Sequence, residues 1–135
     1  MFMKIINILF FITAIFFGCS PSPVKNIECK YFKKGKFILR AELNNTDYLL
    51  ERKDSIQVET NLKDGKITKW KVVWTNQCTY ELWYLAIPPL SKRDSFFIIH
   101  PFVNKILQTT KDYYVFESTM EANRYRMVDT IFVMK

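Results

Sequence analysis

The stretch from Lys69 to Tyr84, KWKVVWTNQCTYELWY, decides the fold class of this chain. Its centre, Thr75-Asn76-Gln77, carries turn-forming residues. Large or apolar side chains occupy every second position on both sides of that centre, and this period of two places them on one face of an extended strand. We therefore expect two half-buried antiparallel strands joined by a short turn. The alternating residues are Trp70, Val72 and Trp74 before the turn, and Cys78, Tyr80, Leu82 and Tyr84 after it.

Outward from this hairpin, the rest of the chain also has the pattern of strands. Turn-forming segments separate these strands, most clearly Lys63-Asp64-Gly65-Lys66, where Gly65 tolerates a positive φ. With the hairpin included, we expect about eight strands joined by short connections. The other predicted strands are Phe37–Leu43, Ile56–Leu62, Ser95–Ile99, Asn104–Thr110, Tyr113–Thr119 and Tyr125–Met134.

Polar residues that alternate with apolar ones along these strands are expected to face solvent. In the second of the strands, Ile56 and Val58 alternate with Gln57 and Glu59. A half-buried antiparallel sheet usually turns its apolar side to the core and its acidic side to water. We therefore expect Glu59 to lie on a solvated face.

A meander of about eight strands must protect its edges, and closure into a barrel does so. We therefore predict an all-β fold, an antiparallel meander closing into a small barrel. A β-sandwich of two sheets is the alternative. An eight-stranded barrel is either filled by its own side chains or holds one small ligand.

The N-terminus has the pattern of an export signal. Lys4 precedes Ile5–Phe17, an almost wholly apolar run. Such a run matches the hydrophobic region of a signal peptide and falls short of the about 20 residues that span a bilayer. The stiff segment Ser20-Pro21-Ser22-Pro23 follows. We predict a signal helix over residues 1–18, a tether over 19–28 and one domain over 29–135.

The end of this leader, Phe16-Phe17-Gly18-Cys19, resembles the lipobox of bacterial lipoproteins. In that motif a small residue precedes a cysteine that becomes lipid-modified and then forms the mature N-terminus. The resemblance implies a membrane anchor through lipidated Cys19, in which each buried methylene contributes about 0.8 kcal/mol. Because no Asp follows Cys19, it also implies a place in the cell envelope on the periplasmic face of the outer membrane. Plain secretion and an uncleaved membrane anchor are the alternatives.

Export also bears on the other two cysteines, Cys29 and Cys78. Disulfides persist outside the cytosol, and with Cys19 modified by lipid these two remain as an even pair. A bond between them would close a loop of about 50 residues and contribute about 4 kcal/mol in the loop-entropy treatment. We expect this disulfide, with two buried thiols as the alternative.

Several motifs together resemble a group of small uncharacterised lipoproteins from Bacteroidota. The resemblance covers most of residues 29–117 and implies no activity. A Gly-x-aromatic opening of the first strand, Gly35 and Phe37, is also similar to lipocalin-like domains, which usually carry Trp at the second of these positions. The motifs are Cys29, Phe32 and Gly35-Lys36-Phe37, then Ile56-Gln57-Val58-Glu59, Trp74, Cys78-Thr79-Tyr80-Glu81-Leu82 and Tyr113-Tyr114-Val115-Phe116-Glu117.

The residues give little support to catalysis or to a cofactor. The chain has one histidine, His100, and three glycines, so it lacks His clusters and Gly-rich phosphate loops. It also lacks CxxC and HExxH motifs. We predict no enzyme, metal or cofactor. The net charge is +7, with a basic cluster at Lys30–Lys36 that fits anionic lipid or a soluble strand edge. Export disfavours a nucleic-acid partner.

Four aromatic residues, Trp70, Trp74, Tyr80 and Tyr84, are the predicted ligand-binding residues. If they face inward on neighbouring strands, they line an apolar cavity with hydroxyl groups for a small apolar or amphipathic ligand. Packing within a filled core is the alternative. A cavity of about 300 Å³ or more with few polar groups favours ligand binding. A filled barrel with an exposed apolar patch favours an accessory protein that contacts another envelope protein.

Overall fold

The computed structural model describes residues 28–41 and 45–135, and within these it forms a closed eight-stranded antiparallel barrel. Each strand pairs with the next, and β1 also pairs with β8, which closes the sheet. The predicted all-β barrel of about eight strands is thus confirmed. The strands are β1 (Gly35–Ala41), β2 (Thr46–Lys53), β3 (Ile56–Asn61), β4 (Ile67–Trp74), β5 (Thr79–Tyr84), β6 (Phe102–Thr109), β7 (Tyr113–Met120) and β8 (Tyr125–Val133).

The predicted leader over residues 1–18, the lipid site Cys19 and most of the predicted tether lie outside the described residues. No helix among residues 28–41 and 45–135 is both long enough and apolar enough to cross a membrane.

The strand count is correct, but one of the predicted strands is wrong. Ser95–Ile99 is helical and belongs to α1 (Lys92–Ile99). The helix starts with a capping box, in which the Ser91 hydroxyl accepts from the Asp94 backbone and the Asp94 carboxylate accepts from the Ser91 backbone. Such a box satisfies two otherwise unpaired backbone donors and so favours a helix start here.

The eighth strand is instead β2, which the sequence pattern does not predict. Its inward side chains include Leu50 and Arg52, which are both almost completely buried. A buried arginine breaks the alternation of apolar and polar residues that marks a half-buried strand. The segment therefore lacks the usual strand pattern, although it pairs along its length with β1 and β3.

The orientation predicted for β3 is wrong. Gln57 is 2% exposed inside the barrel, whereas Ile56 is 38% exposed. Glu59, two residues beyond Gln57, also faces the interior. Polar side chains take the inner face here because they hydrogen-bond to each other and to the buried Arg52.

A short 3-10 helix, Cys29–Phe32, covers one end of the barrel, called here the closed end. The Sγ atoms of Cys29 and Cys78 lie 2.03 Å apart, as the predicted disulfide requires. Phe32 packs on the ring of Tyr114 with 4.8 Å between centroids. The helix, the disulfide and these rings fill the barrel at this end.

At the opposite end, called the open end, α1 lies in the connection between β5 and β6. Its Phe97 ring stacks on Phe102 at 5.8 Å and meets the edge of Tyr84 at 6.5 Å. Phe102 in turn contacts Trp70 at 5.7 Å. These rings line the entrance and leave the barrel interior beneath them open.

Candidate ligand-binding site

A cavity of about 160 Å³ occupies the open half of the barrel. Every strand contributes at least one side chain to its wall. Seven lining residues are apolar and seven are polar or amphipathic, and the second group comes from every strand from β3 to β8. The apolar lining residues are Leu39, Leu50, Leu82, Phe102, Phe116, Met127 and Ile131, and the polar or amphipathic ones are Gln57, Glu59, Trp70, Tyr80, Asn104, Ser118 and Tyr125.

Arg52 forms the boundary between the cavity and the filled half of the barrel. It is 2% exposed. Its Nη1 donates to the Phe32 carbonyl at 2.7 Å, and its Nη2 donates to the hydroxyls of Tyr80 at 3.1 Å and Tyr114 at 3.0 Å. The guanidinium also lies 4.6 Å from the centre of the Tyr80 ring. A buried cation is tolerated when its donors are satisfied in this way.

The phenol of Tyr114 stays neutral beside this cation. Burial raises the pKa of Tyr114 well above its ordinary value, although Arg52 acts in the opposite direction. Burial also opposes the charge on Arg52, but the hydroxyls of Tyr114 and Tyr80 more than offset that effect and raise its pKa. The cluster therefore carries one positive charge.

Gln57 connects Arg52 to a carboxylate. Its Oε1 accepts from Arg52 Nε at 2.7 Å, and its Nε2 donates to Glu59 Oε1 at 2.7 Å. Because arginine has only donors, the bond to Arg52 fixes which end of the amide faces Glu59. Arg52, Gln57 and Glu59, hereafter the interior relay, thus place a carboxylate in the cavity wall.

Glu59 lies in a low-dielectric environment. Burial raises the pKa of its carboxyl group, while Gln57, Trp70 and the charge of Arg52 act in the opposite direction. By exposed area Glu59 is only half-buried, because the cavity opens beside it. The carboxyl group is therefore shielded from bulk solvent but accessible from the cavity.

The indole Nε1 of Trp70 is the one buried side-chain nitrogen or oxygen in the described part of the chain that lacks a hydrogen-bond partner. It lies close enough to Glu59 to affect the pKa of that carboxyl group, but not in hydrogen-bonding geometry. An unpaired buried donor costs about 1–3 kcal/mol, so such a group usually meets a water or a ligand.

A second, outer groove of about 460 Å³ adjoins the cavity under α1. The two share Trp70 and Phe102 as lining residues, and Tyr84 and Phe97 continue the aromatic wall outward. The cavity is thus the narrow inner part of a continuous space, and the outer groove is its wider entrance.

The four predicted ligand-binding residues are only partly brought together. Trp70 and Tyr80 line the cavity, and Tyr84 lies in the outer groove. Trp74 lies outside both, because its ring packs on Tyr80 at 4.7 Å and lies under the Lys33 amine at 4.9 Å.

Other site residues were not predicted. Asn104 and Ser118 could have been found, because each lies two residues from a buried apolar residue of its own strand, Ile106 and Phe116 respectively. No sequence pattern predicts an inward position for Gln57 and Glu59, because polar residues at alternate positions usually indicate the solvent face.

The basic cluster at Lys30–Lys36 has partners close by. Lys36 pairs with Glu51 at 2.7 Å, and Lys34 lies 4.0 Å from Asp54. His100, the one histidine, packs against Phe96 at 4.7 Å. Within the described ranges, no three His, Cys, Asp or Glu side chains are grouped as metal ligands would be.

No protein family, curated protein or solved structure matches the chain. The barrel interior itself is therefore the basis on which a function can be proposed.

Proposed function

We propose that this chain is a cell-envelope protein, anchored by lipid on Cys19, whose barrel binds a small apolar or amphipathic ligand through its open end. The observation that carries the proposal is the division of the barrel into a filled half around Arg52 and a hollow half beneath Trp70 and Phe102. A core serving stability alone would gain from filling that space, since unfilled volume costs packing energy. The proposal includes no catalytic step and no cofactor.

The size of the cavity limits the ligand. At about 160 Å³ it does not reach the roughly 300 Å³ that we expected of a cavity for a drug-sized ligand, but it is close to the roughly 150 Å³ of an engineered cavity that binds benzene. One six-membered ring or a short chain end therefore fits inside. The rest of a longer amphipathic ligand would lie in the outer groove.

Binding of toluene tests this proposal. The strands, the core and the disulfide lie within residues 28–135, so the chain from residue 20 onward, exported without lipid, contains the whole barrel. We expect it to bind toluene in isothermal titration calorimetry. Ser118→Leu places a larger side chain in the cavity and should abolish binding while the protein stays folded.

The control for that variant is Lys71→Leu, which adds a leucine on the exposed side of β4 and should leave toluene binding unchanged. Equal binding by wild type and Ser118→Leu would show that the probe lies elsewhere. No binding by the wild type would contradict a hollow, accessible cavity.

The anchor needs its own test, which is the intact mass of the protein purified from membranes. Cleavage before Cys19 and acylation predict a mass equal to residues 19–135 plus acyl chains. A mass equal to the full unmodified chain would rule out the anchor and, with it, the proposed site on the periplasmic face of the outer membrane.

An accessory role in contacting another envelope protein is the second candidate, and exposed apolar residues favour it. Ile87 is 76% exposed and Ile99 64% exposed, and both lie in the connection that carries α1. Ile67, Leu85 and Ile87 share one surface groove of about 300 Å³. Exposed apolar patches often mark interaction sites.

Replacing exposed apolar residues of this groove by aspartate distinguishes the accessory role from ligand binding. Leu85→Asp together with Ile87→Asp, which share that groove, should abolish crosslinking to a partner in cells if the accessory role is correct. Toluene binding by the same variant should persist, since neither residue lines the cavity.

A further inference from the structure

We infer that the cavity selects a ligand with a neutral hydroxyl group, which would bind between the Glu59 carboxylate and the Trp70 indole N–H. This inference rests on the proposed ligand-binding function and specifies the chemistry of the ligand. It depends on three features of the interior: the unpaired indole donor, the fixed orientation of the Gln57 amide, and the acidic groups on the inward face.

The first feature requires a hydrogen-bond acceptor on the ligand. Trp70 Nε1 is buried without a partner in hydrogen-bonding geometry. The indole nitrogen is a donor only. A ligand that satisfies it must present an acceptor, which a purely apolar ligand lacks.

The second feature requires a hydrogen-bond donor on the ligand. Gln57 Nε2 already donates to Glu59 Oε1, and the amide cannot turn without losing its bond from Arg52 Nε. The ligand therefore meets a carboxylate of fixed position, and we assign the ligand's donor to the other oxygen, Oε2. A hydroxyl both donates and accepts, so one atom can serve Glu59 and Trp70 together.

The third feature excludes a charged ligand group. The inward face carries the buried cation Arg52, the Glu59 carboxylate that the interior relay connects to it, and Asp129 on β8, which pairs in register with the cavity residue Phe116. A ligand carboxylate would be repelled by these acidic groups and would have no hydrogen to donate to Glu59. A ligand ammonium has no acceptor for the Trp70 indole N–H and would leave that donor unpaired.

The experiment compares four single-ring probes on the unlipidated chain from residue 20 onward. Phenol and toluene differ only by hydroxyl against methyl, while benzylammonium and benzoate add a charge of either sign. Affinities are measured by isothermal titration calorimetry for every variant, and the position of the ligand is followed through the three indole N–H signals in proton–nitrogen NMR spectra, because the chain has three tryptophans. Trp70→Phe assigns the signal of Trp70.

We expect phenol to bind at least about tenfold more tightly than toluene, since a hydrogen bond to a charged group is worth more than one factor of ten, and to shift the Trp70 signal. Trp70→Phe keeps an aromatic ring but removes the donor, so it should reduce the preference for phenol while toluene still binds. The matched control is Trp83→Phe. Trp83 Nε1 donates to Glu81 at 2.8 Å outside the cavity, and this variant should keep the full preference.

Each other outcome overturns the inference in a distinct way. Equal binding of phenol and toluene would leave ligand binding intact but remove the role of the hydroxyl. Tighter binding of benzylammonium or benzoate would show that the cavity selects a charge. If none of the four probes shifts the Trp70 signal, the inference and the proposed function both fail.

Discussion

At the scale of single residues, Arg52 determines how the barrel interior is divided. It has four hydrogen-bond acceptors at 2.7–3.1 Å, from Phe32, Gln57, Tyr80 and Tyr114, and none of them is a carboxylate. Its planar group of five donors matches acceptors on several strands at once. The filled half of the barrel and the orientation of Gln57 both follow from this one side chain.

Arg52→Lys should therefore destabilise the fold. Lysine keeps the charge but cannot reach all four acceptors, so buried oxygens lose their donor, and we expect a loss of about 2–4 kcal/mol. Urea unfolding measures the loss. Arg40→Lys, on the exposed side of β1 over the Phe132 ring, is the control and should change stability by less than about 0.5 kcal/mol. Equal effects of the two variants would contradict the role of Arg52.

Glu59 makes stability depend on pH. Burial raises the pKa of Glu59 in the folded protein, whereas in the unfolded chain it is about 4.3. The stability contributed by this group is fully present below the unfolded pKa and is lost as pH rises through the folded pKa.

Glu59→Gln cannot titrate, so it should gain stability relative to the wild type as pH rises from about 4 through the raised pKa of Glu59. Urea unfolding of both proteins at a series of pH values measures the difference. Glu81→Gln, on the outer side of β5, is the control. A constant difference between Glu59→Gln and wild type, or one that falls with pH, would show that Glu59 is not shielded by the barrel.

At the scale of elements, the sequence predicts strands well where the inner face is apolar. The β4–β5 hairpin, the turn at Lys63–Lys66 and the last three strands follow the alternation and the turn-forming residues. The pattern fails in β2 and β3, because Arg52, Gln57 and Glu59 place polar groups inside. It fails in α1 because a capping box at Ser91 outweighs a short apolar run.

The disulfide acts at the same scale, because it joins the 3-10 helix of the closed end to the turn between β4 and β5. The two cysteines are 49 residues apart in sequence. Reduction should lower the free energy of unfolding by about 4 kcal/mol, since the unfolded chain regains the entropy of a long loop. Urea unfolding with and without reductant tests this. The variant with Cys29→Ser and Cys78→Ser should not respond to reductant, and an unchanged wild type would count against a stabilising bond.

At the scale of the whole molecule, the described chain begins at the closed end, opposite the cavity. The Glu28 backbone donates to Thr109 Oγ1 at 3.0 Å, and Thr109 ends β6 at the closed end. A tether that precedes Glu28 would therefore attach where the barrel is filled.

At this scale the closed barrel is the expectation that the structure confirms. The alternation and the need to protect strand edges were enough to predict it. Lipidation at Cys19, the resemblance to Bacteroidota lipoproteins and the lipocalin-like character stay predictions. The inward position of Gln57 and Glu59 could not be predicted, because alternate polar residues usually indicate the solvent face and the bond to Arg52 on the neighbouring strand is not visible in the sequence pattern.

Native mass spectrometry of the lipidated protein, released from its own membranes in mild detergent, tests the central claim most directly. The account predicts a bound small molecule on the wild type that dissociates on activation and is absent from Ser118→Leu. A wild-type protein that carries only its covalent lipid, or the same bound mass on both proteins, would contradict it.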